Sequence, residues 1–316
     1  MLGPGAPTAA ITPGEAIAYC RGLALGHYEN FSVLSALVPA RLRDDFAAVY
    51  AFCRWADDLG DETGADDAAR ARSRGLLGWW AESTRECFAG RAAHPVFVAL
   101  RATIERHAVP MVPFLDLVAA FQQDQDVTRY RTWGQLLDYC RRSANPVGRL
   151  VLHLGGCPDT SAHAELYAMS DATCTALQLT NFWQDVRRDL VERDRVYLPS
   201  EDTGISAEML RDWLARPNDP AARVPYIRAV RALVERTRPL FEQGRPLPDR
   251  LPPDLAPVVW LFGAGGEHVL ARVERTGCTT LWQRPRLAKT VKLGLVARAW
   301  LRAKTARSTR EIGAAR

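Results

Sequence analysis

Two stretches decide the reading of this chain: Tyr50-Ala51-Phe52-Cys53-Arg54-Trp55-Ala56-Asp57-Asp58-Leu59-Gly60-Asp61-Glu62 and Asn181-Phe182-Trp183-Gln184-Asp185-Val186-Arg187-Arg188-Asp189. In each, aspartates stand four residues apart inside a segment of helical apolar periodicity, so they leave one helix face about one turn apart. Like charges at that spacing cost a helix roughly 0.2 to 0.5 kcal/mol per pair. A cation would remove that cost. Oxygen ligands on one helix, matched by a similar set on another, suit Mg²⁺ bridging a diphosphate, because Mg²⁺ combines one or two carboxylates with phosphate oxygens.

The first stretch also places Tyr50, Arg54, Asp57 and Asp61 on a single stripe. Turned inward, a phenol, a guanidinium and carboxylates are expensive to bury without a charged ligand. The ordinary alternative is a solvated face with an Arg54 to Asp58 pair, and the apolar neighbours Phe52, Cys53 and Trp55 weaken it. In the second stretch Asn181 precedes Asp185 by one turn, and Gln184, Arg187, Arg188 and Asp189 follow the same pattern of polar groups. Arg193, Arg195 and Tyr197 come shortly after. Arginine matches phosphate through its planar fork and stays charged at all relevant pH values. Taken alone, the second string would also suit a salt-bridged surface helix.

Outward from these motifs, helical periodicity dominates and strand signals are nearly absent. The pattern predicts helices over about 14–26, 41–61, 66–88, 95–107, 112–123, 132–154, 162–190, 207–215, 221–243, 257–275 and 285–303. Thr132 with Gln135 reads as a capping box, and Pro146 in Asn145-Pro146-Val147-Gly148 predicts a kink beside Tyr139 and Cys140. No solenoid repeat and no linker divides the pattern. The expectation is one all-α domain over 14–285, preceded by a flexible Gly/Pro/Ala-rich N-terminus (1–13). A basic amphipathic C-terminal helix and tail (286–316) follows it.

Composition narrows the class further. With 316 residues, 47 % hydrophobic and 24 % charged, the chain has ordinary globular proportions. Seven scattered cysteines without a CxxC pair read as reduced thiols in a cytosolic protein. The six histidines form no zinc-binding pattern. No secretory signal and no transmembrane run is legible. From Arg286 to Arg316 there are nine Lys/Arg and one acid, Glu311. Interleaved apolar residues make this segment fit either an anionic membrane surface or a solvated helix with a frayed tail. Nothing points to nucleic acid.

The residues Tyr50-x-x-x-Arg54-x-x-Asp57-Asp58-x-x-Asp61-Glu62, Tyr139-Cys140, Asn181-x-x-Gln184-Asp185-x-x-x-Asp189 and Arg195-Val196-Tyr197-Leu198-Pro199 together resemble the squalene/phytoene synthase family, over about Tyr28 to Arg286. The resemblance implies an all-α, single-domain isoprenoid synthase fold, with helices around a central cavity and Mg²⁺ held between the motifs. Within the family, His27-Tyr28-Glu29-Asn30-Phe31-Ser32-Val33 and Ser143-Ala144-Asn145-Pro146-Val147-Gly148 are similar to the bacterial hopanoid-pathway branch, the HpnC-like hydroxysqualene synthases. Most relatives carry Val-Ala-Gly-x-Val-Gly where this chain has Ser143 to Gly148.

That branch implies conversion of presqualene diphosphate and water to hydroxysqualene and diphosphate. Asp57, Asp58, Asp61, Asp185 and Asp189 are then the metal ligands. Arg54, Arg188 and Arg195 face the leaving diphosphate, and Asn181 and Gln184 shape the metal surroundings. Tyr50, Tyr139, Tyr197 and Phe31 shape the cation pocket, with Tyr139 a candidate to relay a proton. Gln184 stands where many relatives carry arginine. The absence of a GxGxxG dinucleotide fingerprint favours water over hydride as the quencher. Partners implied are a prenyl diphosphate, enzymes of squalene biosynthesis and, through the basic C-terminal helix, the inner face of the membrane. Two other readings remain open at this level. One is head-to-head condensation of farnesyl diphosphates to presqualene diphosphate or squalene, or of the longer diphosphates to phytoene. The other is a non-catalytic, synthase-like assembly factor.

Overall fold

Helices follow one another along the chain: α1 (Pro13–Gly26), α2 (Arg43–Asp61), α3 (Asp67–Phe88), α4 (Pro95–His107), α5 (Val112–Gln123), α6 (Trp133–Ser143), α7 (Asn145–Leu154), α8 (Ala164–Glu192), α9 (Ser200–Thr203), α10 (Ala207–Leu214), α11 (Pro220–Gly244), α12 (Ala256–Arg275) and α13 (Lys289–Ala314). This computed structural model describes residues 3–4, 11–26, 37–61, 64 and 66–314, and the side chains of these up to 304. Phe31 and the stretch 27–33 lie outside the described residues, as does Glu62. Among the described residues the only strand-like feature is an isolated parallel bridge between Arg129 and Val196. The all-α, single-domain expectation is met.

Local chemistry accounts for the helix limits. Asp66 accepts a hydrogen bond from Ala69 N at the start of α3, and the Thr132/Gln135 capping box opens α6 as read from sequence. The predicted helix over 132–154 is two helices: Ala144, at φ −126° and ψ −49°, breaks it. Pro146 falls in the first turn of α7, where its missing N–H costs nothing. The segment from Arg41 begins as a 3₁₀ turn before α2. The last helix starts at Lys289 and extends to Ala314, and α9 carried no periodic signal because it is a single turn.

Two hydrophobic cores organise the packing. One gathers α1 to α5 around Phe52, Trp80, Phe97 and Phe114, with Leu150 and Leu154 from α7. The other gathers α6, α8, α10, α11 and α12 around Trp183, Tyr226, Leu179 and Leu233. Fully burying side chains of this size contributes roughly 1.5–3 kcal/mol each, which outweighs the cost of charged residues on the remaining faces. On α2 that burial uses Ala48, Phe52, Ala56 and Leu59; Tyr50 also packs against this first core, while Arg54, Asp57 and Asp61 stay partly exposed. Both cores draw on α5 and its surroundings, with Phe114, Leu117 and Val118 in the first and Ala120 in the second. The end of the first aspartate helix is joined to the segment that follows the second, through Asp61 with Arg193 and Arg195.

Candidate active site

At the end of α2, Arg54 lies 3.4 Å from Asp57 and also pairs with Asp58. One turn later Asp61 receives two arginines from a distant part of the chain: Arg193 at 2.8 Å on one oxygen and Arg195 at 3.0 Å on the other. Arg195 is 8 % exposed and also stands 3.7 Å from Asp124. This carboxylate–arginine layer joins the first motif to the segment leaving the second. A polar cleft of about 110 Å³ opens beside it, lined by Gly60, Asp61, Asp124, Gln125, Arg193 and Arg195 with Arg70 at its rim.

The segment after α8 is shaped to present both arginines together. Asp194 takes the left-handed φ of +50°, which an Asp tolerates better than most residues. Its carboxylate turns away to Arg129, at 2.6 Å, and to Arg211. Val196 N donates to Thr128 O at 2.9 Å, and Arg193 N and Arg195 N both donate to Asp189 O. Those two bonds also satisfy a carbonyl at the helix end.

The second motif is built differently. Asp185 sits at φ −106° and ψ 15°, a non-helical conformation inside α8. Arg284 donates to both of its carboxylate oxygens, at 2.9 Å for Nη2. The neighbouring Gln184 donates to Pro285 O at 2.8 Å, so the chain after α12 lies across this motif. Asp189 is 8 % exposed. Arg188 pairs with Glu192 at 3.1 Å on the outer surface of α8, and Asn181 is exposed. Tyr50 packs half-buried against the first core.

Electrostatics mark the carboxylates as overcrowded. Burial, and after it the charge of Asp61, push Asp57 up to about 6. Burial and then Asp185 push Asp189 up to about 7. In each motif the partner four residues away is part of the cause, as the spacing predicted. All donors here are oxygens, which suits a hard divalent cation. Among the described residues no three acidic, histidine or cysteine side chains form a cage that could hold a metal ion. Mg²⁺ needs no such cage, since it keeps several waters and binds through few carboxylates plus substrate phosphates.

Below the charged layer lies an aromatic group. Tyr197 stacks on Phe182 with ring centroids 3.8 Å apart, and Tyr139 lies 5.9 Å from Tyr197 and 5.4 Å from Tyr130. Tyr139 donates a 2.7 Å hydrogen bond to Asp124. Burial and the Asp124 charge hold the Tyr139 phenol well above its usual range, so it stays protonated. Burial likewise pushes Asp124 up to about 7, against the pull of Arg195 and of the Tyr139 hydrogen bond. The other oxygen of Asp124, Oδ1, is buried with no hydrogen-bonding partner.

Of the residues singled out from sequence, Arg54, Asp57, Asp58, Asp61 and Arg195 are brought together directly. Tyr139 and Tyr197 adjoin them, Asp185, Asp189 and Gln184 form the second cluster, and Tyr50, Asn181 and Arg188 join neither. Sequence reasoning missed Asp124, Gln125, Arg70 and Arg284. The polar run Gln122-Gln123-Asp124-Gln125-Asp126 closing an apolar helix was a usable signal for the first two. Arg284 offered none, being 99 residues from its partner.

The chain matches the model of squalene/phytoene synthases over residues 25–292, a span that holds every charged group just described. It is 33 % identical over 219 residues to a hydroxysqualene synthase of Rhodopseudomonas palustris, covering 69 % of this chain and 70 % of that protein. It is 39 % identical over 183 residues to one of Zymomonas mobilis, covering 56 % and 57 %. Among solved structures, the squalene synthase HpnC of Alicyclobacillus acidocaldarius superposes with a TM-score of 0.73 at 42 % identity, covering 85 % of this chain and 97 % of that one. The two aspartate helices, the arginines between them and this agreement along the chain lead to one conclusion: it belongs to the squalene/phytoene synthase family.

Proposed function

We propose that the chain is a hydroxysqualene synthase, converting presqualene diphosphate and water to hydroxysqualene and diphosphate. The observation that supports this reading most is the Asp61–Arg193–Arg195 layer, which ties the first aspartate motif to the segment leaving the second, beside a polar cleft whose lining residue Asp124 is hydrogen-bonded to the buried ring of Tyr139. That is the order of groups a diphosphate with an apolar, cation-forming tail requires. The names of the relatives above support the choice of reaction within the family.

Asp57, Asp58, Asp61, Asp185 and Asp189 would hold Mg²⁺, relieving the crowding that raises Asp57 and Asp189. When bound, the ion supplies Lewis-acid stabilisation of the departing diphosphate. Arg54 and Arg195, with Arg193 beside them, present fixed positive charge to that leaving group. Such preorganised charge is worth most where water is excluded. Arg188 would have to leave Glu192, its partner on the outer surface of α8, to face that charge, and Asn181 and Gln184 flank Asp185. The rings of Tyr139, Tyr197 and Phe182 offer negative faces to a carbocation; Tyr50 packs against the first core instead, and Phe31 lies outside the described residues. Tyr139, protonated and bonded to Asp124, would pass on to that carboxylate the proton that added water must lose.

The test is incubation of the purified protein with Mg²⁺ and presqualene diphosphate, without NADPH, with products identified by mass. Hydroxysqualene is the expected product. Presqualene diphosphate formed from farnesyl diphosphate, with no conversion of presqualene diphosphate, would move the chain to the condensation step instead.

A further inference from the structure

Buried hydroxyls inside these helices follow one habit. Thr84, Thr173, Thr180 and Thr237 each donate to the carbonyl four residues back, at 2.7 to 3.0 Å, a common way for a hydroxyl in a helix to be satisfied. Ser143, the last residue of α6, departs from it: its Oγ is buried and has no hydrogen-bonding partner. That leaves one donor and one acceptor open, and folded proteins seldom leave such a group without a water or a ligand to meet it.

Helix geometry says what lies beside it. At about 100° per residue, Ser143 follows Tyr139 by one turn and within about 40° of the same side of α6. Tyr139 faces α8, its ring 6.1 Å from that of Phe182. On α8, Thr175 precedes Phe182 by two turns and within about 20° of its side, and Thr175 Oγ1 donates to Asn145 Oδ1 at 2.9 Å. The contacts Tyr139–Phe182 and Asn145–Thr175 are the two ends of one antiparallel crossing, with Ser143 between them. Asn145 and Thr175 are both buried. Just beyond, a Cβ at Gly148 would collide with Ser170 and Cys174, so α7 and α8 hold this pair at close range. With its oxygen taken by Thr175, the Asn145 amide has its NH₂ group left to donate.

We propose that the Ser143 hydroxyl and the Asn145 amide hold the water molecule that captures the carbocation, and so decide the product. The inference rests on the hydroxysqualene synthase reading above and names the residues that supply its second substrate. A lone pair of the held water forms the new C–O bond. The proton it must lose goes to the Tyr139 oxygen as the phenol proton moves to Asp124, 2.7 Å away. One water is consumed and one proton released, with no oxidant or reductant. Where no water is held at this place, the same cation ends by losing a proton from carbon, which gives an alkene instead of an alcohol. Thr175 acts through Asn145, by fixing which end of the amide meets the water.

The test gives presqualene diphosphate and Mg²⁺ to the full chain and its variants and resolves alcohol from alkene by mass. In Ser143→Ala the ratio of alcohol to alkene should fall by about tenfold or more, the scale on which a misplaced reactant loses its advantage. Ser143→Thr, which restores a hydroxyl, should recover most of that ratio, and Thr175→Val should lower it by less than Ser143→Ala does. Because Ser143 Oγ bonds nothing in the protein, Ser143→Ala should unfold at the same temperature as the unmodified chain. An unaltered ratio in Ser143→Ala overturns the inference, and so does an equal loss of alcohol and alkene, which is what damaged packing gives. No alcohol from the unmodified chain is a separate result: it removes the hydroxysqualene synthase reading, and the inference with it.

Discussion

The two aspartate motifs share a spacing of four residues and differ in almost everything else. On α2 the helix runs unbroken through the motif, which is braced from outside, with Asp61 held by two arginines that arrive from residues 193 and 195. On α8 the helix bends at Asp185 itself, and the carboxylate is held by Arg284, which is 41 % exposed at its side chain. One motif is therefore fixed by buried ion pairs and the other by an arginine with access to water. The same four-residue spacing of aspartates has become a rigidly held pair on one helix and a more adjustable pair on the other. The difference lies in which distant segment supplies the counter-charge.

The largest effects should be equal in the two motifs. Asp57→Asn and Asp185→Asn, as folded proteins, should each lower kcat/KM by roughly 10²–10³-fold or more, the scale for removing one preorganised electrostatic group. Ordinary turnover by either variant, measured as diphosphate release, would break the assignment of both motifs to one reaction.

Stability should separate them. Asp61→Ala strands Arg193 and the buried Arg195, and removing one partner of a buried pair costs about 3–5 kcal/mol. The expected loss is near the lower limit, about 3 kcal/mol, because Arg195 retains Asp124. Asp185→Ala frees Arg284 to turn into solvent and should cost less than about 1 kcal/mol. Urea unfolding of the metal-free proteins compares the two, and equal losses would erase the distinction between rigid and adjustable pairs.

The pH dependence is subtler. Asp124 is raised from 3.8 to about 7, so the folded state binds its proton more tightly than the unfolded state does. Its contribution to stability is fully present below about pH 4 and is lost as pH rises through about 7. In Asp124→Asn, which keeps an acceptor for Tyr139, the fall in Tm of the metal-free protein between those values should be shallower than in the unmodified chain. A parallel fall would place the titration elsewhere. Smallest of all is Thr132→Ala, which removes the cap of α6 and should cost about 1 kcal/mol, with no change in product.

Much of this was legible beforehand, and the limits follow a physical line. Thr132 with Gln135 named a helix start because a cap is local chemistry. Pro146 foretold a disruption but not its form, since a proline that kinks one helix is equally at home in the first turn of the next. The bend at Asp185 has no proline or glycine to announce it. Asp124 was visible only as one polar residue in a run of five, and its burial under Tyr139 depends on how α5 meets α6.

By itself the sequence determined the helices, the two acidic faces, the arginines near them and the family resemblance, because periodicity, caps and motif spacing are properties of residues close together in the chain. Only the tertiary structure decided that Asp61 takes Arg193 and Arg195, that Arg284 closes on Asp185 and that Asn145 accepts from Thr175. Those outcomes depend on contacts between segments up to 134 residues apart. Their energies arise from burial and charge pairing that exist only once the two cores have packed.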